Sequence, residues 1–106
     1  MSATNGYLSK TLEWYARLPA YQKVRPKAEM NDGFVVSIQA SETHYCAPRL
    51  NGLDNYSMVE LGYPSEKDDL IMEYAETPEE PTSAVYGYVP VDVVDALIEK
   101  HGGLKE

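Results

Sequence analysis

Cys46 is the chain's one cysteine in 106 residues, so no disulfide framework can hold the fold. Phe and Trp occur once each, and no apolar run approaches the ~20 residues that a membrane span needs. No basic-then-apolar segment resembling a signal peptide opens the sequence. Basic residues are scarce: nine Lys and Arg stand against seventeen Asp and Glu, a net charge of −8. What is present suffices for a core, since 43% of residues are hydrophobic and nine are tyrosine. Such a composition argues against disorder. It predicts one soluble domain over residues 1–106, frayed at 1–6, in a reducing cytoplasm.

The charge is unevenly spread. Residues 1–53 hold six bases (Lys10, Arg17, Lys23, Arg25, Lys27, Arg49) and four acids, whereas residues 54–106 hold three bases and thirteen acids. From Glu60 to Glu80 there are eight acids and one base, Lys67. A surface of that sign repels phosphate backbones, so direct nucleic-acid binding is not expected of it. It attracts basic partners instead, including proteins whose own ligand is nucleic acid. Solubility alone is the plainer explanation of such a surface. If the bases from Lys10 to Lys27 folded over the acidic half, the attraction would be cancelled internally.

Hydrophobic periodicity supplies the elements. A helix is expected over Leu8–Leu18, capped by Asn5 or Ser9, carrying Leu8, Leu12, Trp14 and Tyr15 and ended by Pro19. Ala20–Met30 reads as a linker or a broken short helix. Asn31-Asp32-Gly33 is a turn, followed by a strand over 34–39 in which Phe34, Val36 and Ile38 alternate with Ser37 and Gln39. A long loop, 41–55, leads to a second strand, Tyr56–Tyr63. Ser65-Glu66-Lys67-Asp68 fits a capping box, Leu70–Ala75 suits a third strand with a helix over 68–76 as the alternative, and 77–82 is a loop. Ala84–Val89 is the fourth strand, with Val85 and Val89 on one face, Tyr86 and Tyr88 on the other, and Gly87 marking a bulge or a close backbone approach. Pro90 starts a final helix bearing Val91, Val94, Leu97 and Ile98 at helical spacing, with Lys100 and His101 at its end and Gly102-Gly103 beyond. The fold class is therefore α+β: an antiparallel sheet of about four strands, with an N-terminal and a C-terminal helix packed on one face.

No catalytic set emerges, and neither a cofactor nor a metal is expected. His44-Tyr45-Cys46 is the nearest approach to a reactive site, but a cysteine nucleophile needs a converging base, and metal sites usually need three or four ligands. Ser41, Glu42 and Arg49 in the same loop suit loop ordering better than anion binding. A small enzyme or ligand-binding domain built on loop 41–49 is the weaker alternative. The tyrosines are more informative, because tyrosine gives large contact area with a polar tip and is enriched at interfaces. Beside carboxylates it suits a partner displaying Arg and Lys. The candidate partner-binding residues are Glu60, Glu66, Asp68, Asp69, Glu73, Tyr74, Glu76, Glu79, Glu80, Tyr86 and Tyr88. Self-assembly into a homodimer, through a strand edge or the tyrosine face, is the second reading.

The segments YSMVELGYPSEKDDLIMEYAE and VYGYVPVDVVDALIEKHGG resemble small acidic accessory proteins encoded by phages and prophages. In size and acidity the chain is also similar to anti-CRISPR and other anti-defence inhibitors. The resemblance implies an accessory protein in the cytoplasm of a bacterial host, acting by blocking or redirecting a host protein. It identifies no functional residues. The acidic half and the missing catalytic set make the expectation a non-enzymatic binder of a basic host protein, including one that itself binds nucleic acid.

Overall fold

A computed structural model describes residues 2–12, 17, 24–53 and 55–105. Helix α1 (Ala3–Lys10) leads to strands β1 (Ala28–Glu29), β2 (Val35–Gln39), β3 (Met58–Gly62) and β4 (Val85–Pro90), and helix α2 (Val91–Lys100) follows directly. A short 3-10 turn, Met72–Tyr74, lies between β3 and β4. The four strands pair antiparallel in the order β1-β2-β3-β4, with Ala28 opposite Val36, Ile38 opposite Leu61 and Val59 opposite Val89. The α+β architecture is as the sequence predicts.

Alternation running from Phe34 into β2 puts Phe34, Val36 and Ile38 in the core, and α2 meets it with Val94, Leu97 and Ile98. Each such aliphatic side chain, removed from water, contributes about 1.5–3 kcal/mol. Helix α1 packs on α2 and β2, while α2 packs on β4. Pro90 precedes α2, where a missing amide is tolerated, and Gly102 and Gly103 beyond it take φ of 89° and 90°.

Several boundaries differ from expectation, each for a physical reason. Residues 3–6 are not frayed but form the first turn of α1, because Ser2 rather than Asn5 or Ser9 supplies the cap: its Oγ accepts from the Asn5 amide at 3.0 Å. Asp95 of α2 accepts from both the amide and the hydroxyl of Thr4, at 2.9 and 2.6 Å. Asn5, freed from capping, is buried and brackets Tyr56, receiving its amide at 2.8 Å and donating to its carbonyl at 3.1 Å. The expected continuation of the helix through Trp14, Tyr15 and Leu18 to Pro19 lies outside the described residues. Ala28–Glu29, expected within a linker or broken helix, pairs with β2 instead.

The segment expected as a third strand, Leu70–Ala75, is neither strand nor α-helix. Asp68 accepts the Leu70 amide at 3.0 Å, an Asx-type bond that starts a turn, and Ile71 then plugs the core. Only Ala75 bridges to Tyr86. Ser65 does not form the predicted capping box, because its hydroxyl accepts from the Val35 amide at 2.9 Å. Gln39, expected on the outer side of its strand, is buried and exchanges hydrogen bonds with the backbone of Arg25.

Candidate functional site

The site grows from an irregularity in β4. Val59 lies opposite Val89 and Leu61 opposite Tyr86, so Glu60 alone faces the pair Gly87-Tyr88. This is a β-bulge, and its extra residue shifts the parity of the strand. The expected faces are corrected accordingly: Tyr86 and Val89 both enter the core, while Tyr88 is turned outward with φ of 51°. A left-handed conformation costs a non-glycine residue of order 1–2 kcal/mol, and such strain clusters at functional positions.

Loop 41–55 closes over the bulge through Tyr45. Its carbonyl accepts from the Tyr88 amide at 2.9 Å and its amide donates to Glu60 at 3.1 Å. Gly87 permits that approach, since a Cβ there would lie 3.2 Å from the Tyr45 Cβ. The Tyr45 and Tyr88 rings come to 5.9 Å between centroids, tilted by 34°. Together with Tyr74 of the 3-10 turn and Glu76 just beyond it, they line an open cleft of about 230 Å³. Arg49 sits 5.6 Å from the centre of the Tyr45 ring, so this ring already meets one cation of its own chain.

The predicted contact residues divide into three groups. Tyr74, Glu76 and Tyr88 line the cleft, and Glu60 holds its wall. Glu66, Asp69, Glu73, Glu79 and Glu80 are exposed. Asp68 and Tyr86 are corrected: both are buried and engaged internally, so neither offers a surface. The Tyr86 hydroxyl donates to the Pro81 carbonyl at 2.6 Å, and Tyr56 is likewise a core residue whose hydroxyl donates to Leu50. Sequence reasoning passed over Tyr45 as an aromatic of this site. Its partner Tyr88 is distant along the chain, and only the Gly87 signal pointed to a close approach.

Asp68 belongs to a second cluster. The His101 ring lies between two carboxylates, Nδ1 at 2.6 Å from Asp32 and Nε2 at 2.8 Å from Asp68, and stacks on Phe34 at 4.0 Å. Both ring nitrogens must then donate, as only the imidazolium can. Burial favours the neutral ring, but the carboxylate bonds outweigh it and hold His101 above its ordinary value. Desolvation would raise Asp68, yet bonds from the Leu70 amide, His101 and Lys100 hold it low. Asp32 is also lowered, chiefly by the Phe34 amide and then by His101.

In loop 41–49, Ser41 Oγ lies 2.6 Å from His44 Nδ1, and the Cys46 thiol donates to the Ser41 carbonyl at 3.1 Å. Ser41, His44 and Cys46 are all buried, so their bonds close on one another and order the loop. Burial raises the Cys46 thiol and lowers His44, the latter with help from the charges of Arg25 and Arg49. Among the described residues no group of three or more His, Cys, Asp or Glu is arranged to hold a metal ion. Among them, too, no helix is long and apolar enough to cross a membrane.

Both outer strands are shielded. Leu104 bridges to Met30 and the Lys105 amide donates to Glu29 beside β1, while Ala75, Glu76 and Tyr45 pair along β4. Lys10 and Lys27 make no ion pair with the acids of 60–80 among the described residues; Lys27 instead lies over Tyr63 at 5.9 Å. Fold and site thus define an α+β domain in which a four-stranded meander is backed by two helices and carries a cleft lined by Tyr45, Tyr74, Tyr88 and Glu76. No family model matches the chain, and no curated protein or solved structure is significantly similar to it.

Proposed function

We propose that this protein is a non-enzymatic binding protein that works by covering a basic surface on a host protein that handles nucleic acid, as phage anti-defence inhibitors do. The observation that carries this is the open cleft formed by Tyr45, Tyr74 and Tyr88 beside Glu76, with Glu73, Glu79 and Glu80 exposed nearby in sequence. Tyrosines and uncompensated carboxylates together suit a partner presenting Arg and Lys. The shielding of β1 and β4 weighs against strand-edge pairing as the route to a homodimer. The cytoplasm of a bacterial cell is the compartment this activity requires.

The test is affinity capture of the tagged protein from a bacterial lysate at low and high salt, in parallel with the quadruple Lys variant at Glu73, Glu76, Glu79 and Glu80. One stoichiometric basic protein, lost from the wild type on raising salt and absent with the variant, is the expected outcome. Capture by the variant equal to that by the wild type would overturn the electrostatic mechanism.

A further inference from the structure

Resting on the reading just given, we propose that the cleft between Tyr45, Tyr74, Glu76 and Tyr88 is an anchor site for a single arginine side chain of the partner. Its size fits such an occupant. At about 230 Å³ it falls below the range of about 300–1,000 Å³ that encloses drug-sized ligands, and one side-chain head with its stem is the scale it accommodates.

Its chemistry is selective as well. Three tyrosine rings supply π-faces, whose negative quadrupole attracts cations. The Glu76 carboxylate at the same cleft is exposed and makes no hydrogen bond or ion pair among the described residues. A planar guanidinium satisfies both surfaces at once, stacking on a ring while donating two parallel hydrogen bonds to a carboxylate. An ammonium is a point charge with no planar face to stack and no fork for two parallel bonds, so it meets each surface less completely. Arg49 beside Tyr45 shows the same chemistry at this ring within the chain itself.

The local backbone is shaped to create the cleft. Without the bulge, Tyr88 would share the inward parity of Tyr86; with it, the ring stands outside against Tyr45. Gly87 forms the floor and allows Tyr45 to approach, and Glu60 acts as a positioning residue by accepting the Tyr45 amide. The structure accepts strain at Tyr88 to expose an aromatic ring that the core does not use.

The experiment is a nuclear magnetic resonance titration of the full chain at low salt with the capped tripeptide Gly-Arg-Gly, alongside its lysine and citrulline counterparts. Saturable shifts should appear at the rings of Tyr45, Tyr74 and Tyr88 and at the Gly87 amide, with lysine about threefold weaker and citrulline inert. Glu76→Gln should weaken the arginine peptide about threefold to fivefold, while Glu99→Gln, exposed on α2 and outside both the cleft and the acidic segment, should leave it unchanged. Absence of saturable shifts, equal binding of citrulline, or equal loss in both variants would each overturn the proposal. If the cleft fails while charge reversal still abolishes capture, only the arginine anchor falls. If both fail, the proposed function falls with it.

Discussion

Two regions of this molecule are built from the same ingredients, carboxylates beside aromatic rings, and they are put to opposite uses. Around His101 the cation is internal: Asp32 and Asp68 grip the ring, Phe34 stacks on it, and Lys100 approaches Asp68 at 3.0 Å. At the bulge, Tyr45, Tyr74 and Tyr88 gather beside Glu76 with Arg49 near one ring, and the carboxylate is exposed. A buried carboxylate requires a partner from its own chain, because an unpaired one costs several kcal/mol. An exposed carboxylate has no such need, so its partner can come from elsewhere. On the proposal made above, the clamp serves stability and the cleft recognition, and substitutions should separate the two.

The largest effect is expected at the clamp. His101→Ala removes the charge between two carboxylates and leaves Asp68 with Lys100 and the Leu70 amide alone. It should lower unfolding free energy by about 2–3 kcal/mol in urea denaturation, less than a fully unpaired buried charge would because Lys100 remains. Arginine-peptide binding to the folded variant should be unchanged. A loss below about 0.5 kcal/mol would mean that the clamp is not a stabilising element.

The pH dependence sharpens this, because the two histidines are shifted in opposite directions. His101 is raised above 6.5, so its contribution is fully present below pH 6.5 and fades as pH climbs through its folded-state value. Asp68 is held below 3.8, so its contribution is present above that pH and fades as acid protonates it in the folded state. The clamp is therefore strongest between about pH 4 and 6.5. His44 is lowered, so the contribution of its neutral ring is present above pH 6.5 and declines as pH falls through the folded value. The stability difference between the wild type and His101→Gln should shrink from pH 6 to pH 8, while that for His44→Gln should grow. Parallel pH profiles for the two variants would contradict these environments.

Much of the architecture was legible in the sequence because periodicity reports directly on burial. Phe34, Val36 and Ile38 mark β2, and Val91, Val94, Leu97 and Ile98 mark α2. What could not be read were features decided by contacts distant along the chain. Ser2 caps α1 only because Asn5 is drawn to Tyr56 and Asp95 reaches Thr4. Leu70–Ala75 has an apolar strand-like composition, yet the Asx bond at Asp68 diverts it into a turn. Asp68 itself looked like one more surface acid among eight, and nothing local reveals that His101 buries it. For the cleft, Gly87 signalled an approach but did not name Tyr45, and one bulge residue inverted the faces of Tyr86 and Tyr88.

The smallest change in stability should come with a complete loss at the cleft. Tyr88→Gly removes an outward ring and places glycine where φ is 51°, a region it enters without steric cost. Relief of about 1–2 kcal/mol of backbone strain is opposed by about 0.5–1 kcal/mol of added entropy in the unfolded chain and by the lost Tyr45–Tyr88 contact. Unfolding free energy should then stay level or rise by about 1 kcal/mol at most, while saturable arginine-peptide binding disappears. That pairing marks a residue retained against the interest of stability. A loss of more than about 1.5 kcal/mol in the glycine variant would instead make Tyr88 a packing residue, and the contrast between clamp and cleft would collapse at that position.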